Sequence, residues 1–166
     1  MLTPAAVLAS TFDNFNDLDD TNNPTWTHLS GLVASTGQNW DASSGAYRLT
    51  APNNGFSSLG FVGGYAGPSE TDVTVSADVT AFIGPPAGGV FGVAARLNNN
   101  NAFNALKGYA YAYEPFSASG TGEVVLYKIN GASIGDIGSQ QVTLDANKDY
   151  RFVLEVIGNQ LHGQLF

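Results

Sequence analysis

Along most of this chain, hydrophobic and polar residues alternate with a period of two, as in strands with one face buried and the other exposed. The cleanest run is TDVTVSADVTAF, in which Val73, Val75, Ala77 and Val79 alternate with Asp72, Thr74, Ser76, Asp78 and Thr80. Gly84-Pro85-Pro86 ends it, because proline cannot donate to a ladder. From Gly89 to Gly131 three further runs follow, separated by glycine- and asparagine-rich turns. In the first, Phe91, Val93, Ala95 and Leu97 share one face and Gly92, Ala94 and Arg96 the other. In the second, Tyr109, Tyr111 and Tyr113 oppose Gly108, Ala110 and Ala112. In the third, Val125, Tyr127 and Ile129 oppose Val124, Leu126 and Lys128. These three runs predict an antiparallel meander. In the tail, Tyr150, Phe152, Leu154 and Val156 alternate with Arg151, Val153, Glu155 and Ile157, and Gly158-Asn159 makes a tight turn into Leu161–Phe166.

The remaining elements are shorter. A strand is expected over Thr25 to Leu29, a turn over Gly37 to Ala42 containing Trp40, and a strand over SGAYRLTAP. Asn53-Asn54-Gly55 supplies residues suited to a turn, residues 56–62 pair briefly, and GGYAGPSE and Gly131 to Gly138 are loops. No segment of ten or more residues carries a helical period with caps. Roughly nine to eleven short strands spaced by turn signals predict an all-β protein, a two-sheet sandwich or a barrel. Residues 1–11 read as an N-terminal arm and 12–166 as one domain.

Composition narrows the chemistry. Only 12% of the 166 residues are charged, about half the usual share, and 20 glycines with many Asn, Ser and Thr replace charge as the solubilising element. That balance suits a turn-rich, secreted β-protein of bacterial type, extracellular or at the cell surface. With six Lys and Arg and a net charge of −8, the chain has little with which to displace counterions from nucleic acid. An anionic membrane surface would repel it, and no apolar run approaches the ~20 residues of a spanning helix. The absence of cysteine excludes disulfides and Cys-ligated metals. The start, MLTPAAVLAS, reads equally as the tail of a signal peptide and as an ordinary arm or first strand.

The order of pieces resembles the concanavalin A-like, laminin-G-like jelly-roll superfamily, closest to bacterial LamG-like or keto-disaccharide-hydrolase-like modules. Phe12-Asp13-Asn14-Phe15-Asn16-Asp17 resembles that pattern's acidic start, and Trp26 its following tryptophan. Trp40 to Leu49, Ser69–Thr80, Gly89–Tyr113, Val124–Gly131 and Leu144–Phe166 resemble its later strands in order. The resemblance implies an antiparallel jelly-roll sandwich. It also implies closing strands beyond Phe166, so that either the sequence is truncated or a neighbour supplies them, leaving an edge open to pairing.

Several constellations could carry chemistry. Asp13, Asp17, Asp19 and Asp20, with Asn14 and Asn16, form the densest acidic patch, and one loop with that many oxygens could hold a structural Ca2+. The resemblance favours calcium, and the bland alternative is a solvated turn. Sugars stack their C–H faces on aromatic rings while polar side chains bond their hydroxyls. Tyr109, Tyr111 and Tyr113 with Arg96, flanked by Asn98 and Asn101, would make such a platform if that face is open. The commoner arrangement packs the tyrosines inward, whereas Arg96 stands opposite Phe91, Val93 and Leu97 and should face out of the core. Catalysis finds less support. Glu70-Thr71-Asp72 begins like a jelly-roll glucanase strand but lacks the second glutamate, and Glu155 stands alone on its strand. Two histidines make no metallohydrolase cluster, and there is neither a nucleophile elbow nor a phosphate loop.

Three functions follow as expectations. The first is a non-catalytic carbohydrate-binding or adhesion module whose partner is a glycan or polysaccharide. The second is a structural subunit of an extracellular filament, sheath or surface layer, assembled with homo-oligomeric neighbours by strand complementation. The third is a glycoside-active enzyme. No nucleic acid and no membrane insertion is expected.

Overall fold

The period-two runs fold as strands. The computed structural model describes residues 11–30, 39–50, 62–65, 71–80, 82, 90–98, 106–116, 120–131 and 133–166. Among them are eleven strands and no helix, and every strand pair is antiparallel. Contacts divide the chain into two compact units, Met1–Ser69 and Glu70–Phe166.

The first unit holds two short ribbons: β1 (Thr27–Ser30) pairs with β4 (Val62–Tyr65), and β2 (Asn39–Asp41) pairs with β3 (Arg48–Thr50). The turn expected over Gly37 to Ala42 therefore lies later. Trp40 is in a strand opposite Leu49, and the chain reverses after Asp41, whose carboxylate accepts from Ser43 N at 2.9 Å and Ser43 Oγ at 2.6 Å. The loop expected for GGYAGPSE likewise begins as strand, with Gly63, Gly64 and Tyr65 opposite Leu29, His28 and Thr27. Paired backbone outweighs the poor strand propensity of two glycines here. The arm's first ten residues, the turn at Asn53-Asn54-Gly55 and residues 56–61 lie outside the described residues.

The second unit is a β-sandwich. One sheet has the order β11-β10-β5, from β5 (Val73–Val79), β10 (Tyr150–Ile157) and β11 (Gln160–Leu165). The other is the predicted meander with a fourth strand, β6-β7-β8-β9, from β6 (Phe91–Ala95), β7 (Lys107–Pro115), β8 (Thr121–Asn130) and β9 (Ser133–Thr143). The residues that alternation put on one face stay together, and the structure settles which face is inner. Tyr111, Tyr113 and Val124 meet Phe152, Leu154 and Val156 in one buried cluster, with Val73, Val75, Val79 and Tyr109 packed against it. Phe152 sets its ring edge-on to Phe91 at 5.7 Å and lies 6.0 Å from Tyr111. Gly163 of β11 faces Tyr111, and a Cβ there would stand 2.5 Å from a ring carbon. The tight turn falls where predicted, with Gly158 at φ 56, a conformation that costs glycine little.

The expected loop from Gly131 to Gly138 is strand instead. β9 pairs along β8 from Ser133 to Thr143, and a bulge leaves Ile137 without an opposite residue between Asp136, which faces Tyr127, and Gly138, which faces Leu126. Two glycines and an interrupted alternation hid this strand from a period-two reading. It is held by its ladder, being exposed at nearly every position.

Candidate functional site

The residues singled out from sequence do not form one open platform. Tyr113 is fully buried and Tyr111 nearly so, and burial pushes both phenols up. The Tyr113 hydroxyl donates to Gly120 O at 2.5 Å. Tyr109 is half-buried against the same core. Asn98 closes the β6–β7 connection, its Oδ1 accepting from Lys107 N and its own N–H donating to Lys107 O at 3.0 Å. Asn101 lies outside the described residues.

Arg96 overturns the expectation that it faces out of the core. It follows the last residue of β6 with φ 51, in the left-handed region, so the alternation that set its direction ends one residue early. Its guanidinium reaches the opposite sheet. Nε donates to Thr71 O, one Nη to Gly158 O at 2.7 Å, and the other to Asp72 Oδ1 at 3.3 Å and Val156 O at 3.4 Å. Asp72 Oδ1 also accepts from Gly158 N at 2.8 Å. The side chain is 24% exposed. Arg96 therefore staples the start of β5 and the β10–β11 turn to the end of β6. Arg96→Ala is expected to lower stability by about 1–3 kcal/mol, since several charge-assisted bonds go together. Urea unfolding checks this, and Arg96→Lys should recover only part, because an ammonium cannot present the same fork.

The acidic loop folds on itself. Asp13 accepts from Phe15 N at 2.7 Å and from Trp26 Nε1 at 2.6 Å. Asp17 accepts from Asp19 N at 3.3 Å, and Asp19 from Thr21 N at 2.8 Å and Thr21 Oγ1 at 2.7 Å. The Thr21 and Asn22 bonds hold the Asp19 carboxyl below its ordinary value. Asp20 lies 2.7 Å from His28 Nε2, and the His28 ring stacks on Trp40 with centroids 4.7 Å apart. Phe15, Trp26 and Tyr47 pack as an aromatic trio. Burial, then the neighbouring Asp20 carboxylate, push the Tyr47 phenol up. Its hydroxyl finds no partner of hydrogen-bond geometry among the described residues. Among those residues no three His, Asp or Glu side chains converge as a metal site.

A constellation missed from the sequence lies on the solvent face of the three-stranded sheet. Register puts Asp78 opposite Arg151, and Arg151 exchanges both main-chain hydrogen bonds with Phe166 at 3.0 Å. The three side chains thus stand in a row across β5, β10 and the residue after β11. Arg151 grips Asp78 bidentately at 2.6 and 2.7 Å. Phe166 is 68% exposed beside them. With Thr80, Asp149 and Tyr150 they line an open depression of about 570 Å³. Four residues along β10, Glu155 faces His162 at 3.4 Å. The turn at Gly158-Asn159 already implied the Arg151–Phe166 and Glu155–His162 pairings. The partner across β5 could not be read from it, because the two strands are far apart in sequence.

The Arg151 hydrogen bonds hold the Asp78 carboxyl below its ordinary 3.8. A folded-state value that is depressed stabilises fully above the unfolded value, and the contribution fades as pH falls through the folded one. The melting-temperature gap between wild type and Asp78→Asn is therefore expected to be constant near neutrality and to close below about pH 4. Both partners are more than half exposed, so the gap itself is small.

On the other sheet's outer face Glu114 and Glu123 are register partners, and the Tyr127 hydroxyl donates to Glu114 Oε2 at 2.5 Å. Burial, followed by that carboxylate, pushes the Tyr127 phenol up. Set against family models, curated proteins and solved structures, the chain matches none.

Proposed function

We propose that this protein is an extracellular, non-catalytic carbohydrate-binding or adhesion module whose sandwich is of the concanavalin A-like jelly-roll type. One observation carries the reading: the row of Phe166, Arg151 and Asp78 across the outer face of the three-stranded sheet. An exposed ring offers a surface for the C–H face of a pyranose. Beside it, a guanidinium and carboxylate held by two short bonds offer donors and acceptors in fixed directions, the combination that orients a polyol without charge selection. Beneath this face Tyr111 packs against Gly163 and Phe152, while Arg96 secures the far end of the same sheet at the β10–β11 turn.

A glycan array probed with the full chain tests the function. Binding to at least one neutral glycan, weakened in Arg151→Ala at temperatures where that variant remains folded, is the expected result. No binding to any glycan would remove the function. Release of reducing ends from a bound glycan would overturn its non-catalytic part, and Glu155, on the same sheet face as the row, is the first residue to replace in that event.

A further inference from the structure

Beyond the Phe166 row, the same sheet face continues along β10 and β11. Successive outward positions are Arg151, Val153, Glu155 and Ile157 on β10, with Phe166, Gln164, His162 and Gln160 opposite them. A second open depression, of about 500 Å³, lies at the far end around Glu155, Ile157 and His162. The two depressions are separated by four residues of strand, or roughly 13 Å at the usual rise. That separation exceeds the reach of a single sugar ring and runs along the strands, with Gln164 between the two ends. Arg151 is paired with Asp78, Glu155 stands 3.4 Å from the His162 imidazole, and Asp149 adds a further carboxylate at the first depression. The chain as a whole carries −8 and would hold off a polyanion.

Resting on the carbohydrate-binding reading, we infer that this face is a track for an internal stretch of a neutral polysaccharide chain, laid along β10 and β11, and not a pocket for a terminal sugar. Phe166 stacks one residue of the chain, Glu155 and His162 bond another, and Gln164 bonds the span between. Uronate-rich or sulfated chains are excluded by charge.

The probes are cello-, chito-, laminari- and xylo-oligosaccharide series of one to six units, with alginate and pectate as polyanions, titrated calorimetrically into the full chain. On the series that binds, affinity should climb with each added unit to about four and then level off. Phe166→Ala and His162→Ala, both changes at exposed side chains, should each weaken the longer members by about tenfold. His162→Ala should leave the shortest binder unchanged. Equal affinity for one unit and for six, or both variants binding like wild type, would overturn the track while leaving glycan binding in place. Alginate or pectate binding more tightly than every neutral series would overturn the charge argument and the track with it. No binding to any probe would remove both the track and the function beneath it.

Discussion

Phe152→Ala is expected to reduce the unfolding free energy by about 3–5 kcal/mol, the range for deleting a fully buried aromatic side chain. The ring is 0% exposed and is the point where the two sheets of the second unit meet: Phe91 lies edge-on to it, Tyr111 lies against it, and Leu154 and Val156 share its inner face on the same strand. Removing it loses the transfer energy of the ring and leaves a void between elements that cannot close without shifting a sheet. Urea unfolding should show a lower midpoint with the slope unchanged. Phe152→Leu, which keeps most of the volume, should recover more than half of the loss. A stability loss below about 1 kcal/mol in Phe152→Ala would mean that the two sheets do not share this core.

Gly163→Val works by the opposite mechanism. A side chain at this position would point into the sandwich, where the first added carbon already lies 2.5, 2.7 and 2.8 Å from three carbons of the Tyr111 ring. Tyr111 cannot swing aside, because it is nearly buried and its neighbours across β7 are Val93 and Leu126. The expected cost is about 2–3 kcal/mol, at the upper end for overpacking, and Gly163→Ala should show a smaller loss in the same direction. The ring itself is the obstacle, so Tyr111→Leu in the Gly163→Val background should restore stability relative to the sum of the two single changes. Such a coupling is read from the double-mutant cycle. Additive losses would show that the glycine is required for some reason other than the ring.

The parts of this fold legible in the sequence were those fixed by local alternation. β5, the three meander strands and the β10–β11 hairpin follow from a period of two bounded by glycine, proline and asparagine. That Tyr111 and Tyr113 share one face, and Phe152 and Leu154 another, follows with them, but alternation alone did not say that the tyrosines turn inward. Local pattern lost its hold at three places. At Arg96 a left-handed residue redirected a side chain that simple alternation sent outward. At β9 the ladder with β8 made a strand from a segment with little apolar pattern of its own. The candidate site was illegible as a set because it depends on Asp78 and Arg151, residues 73 positions apart that only the β5–β10 pairing brings together. Asp78 reads in isolation as one more polar position on an alternating strand.

The bulge at Ile137 has a consequence for how copies of this protein meet. On the Thr143 side of it, Val142 and Gln140 share the inward face with Val124. On the Ser133 side, Ile134 and Asp136 share the outward face with Ile129 and Tyr127. Even-numbered residues thus change sides halfway along β9. Were two copies to lay this strand against itself, head to tail about Gly138, Ile134 of one would come level with Val142 of the other, pointing to opposite faces. In that register the inserted residue sets the two halves of the eleven-residue strand on opposite faces. Deleting Ile137 would bring the two halves into step in that register, and light scattering should then show more association in that variant than in the parent chain.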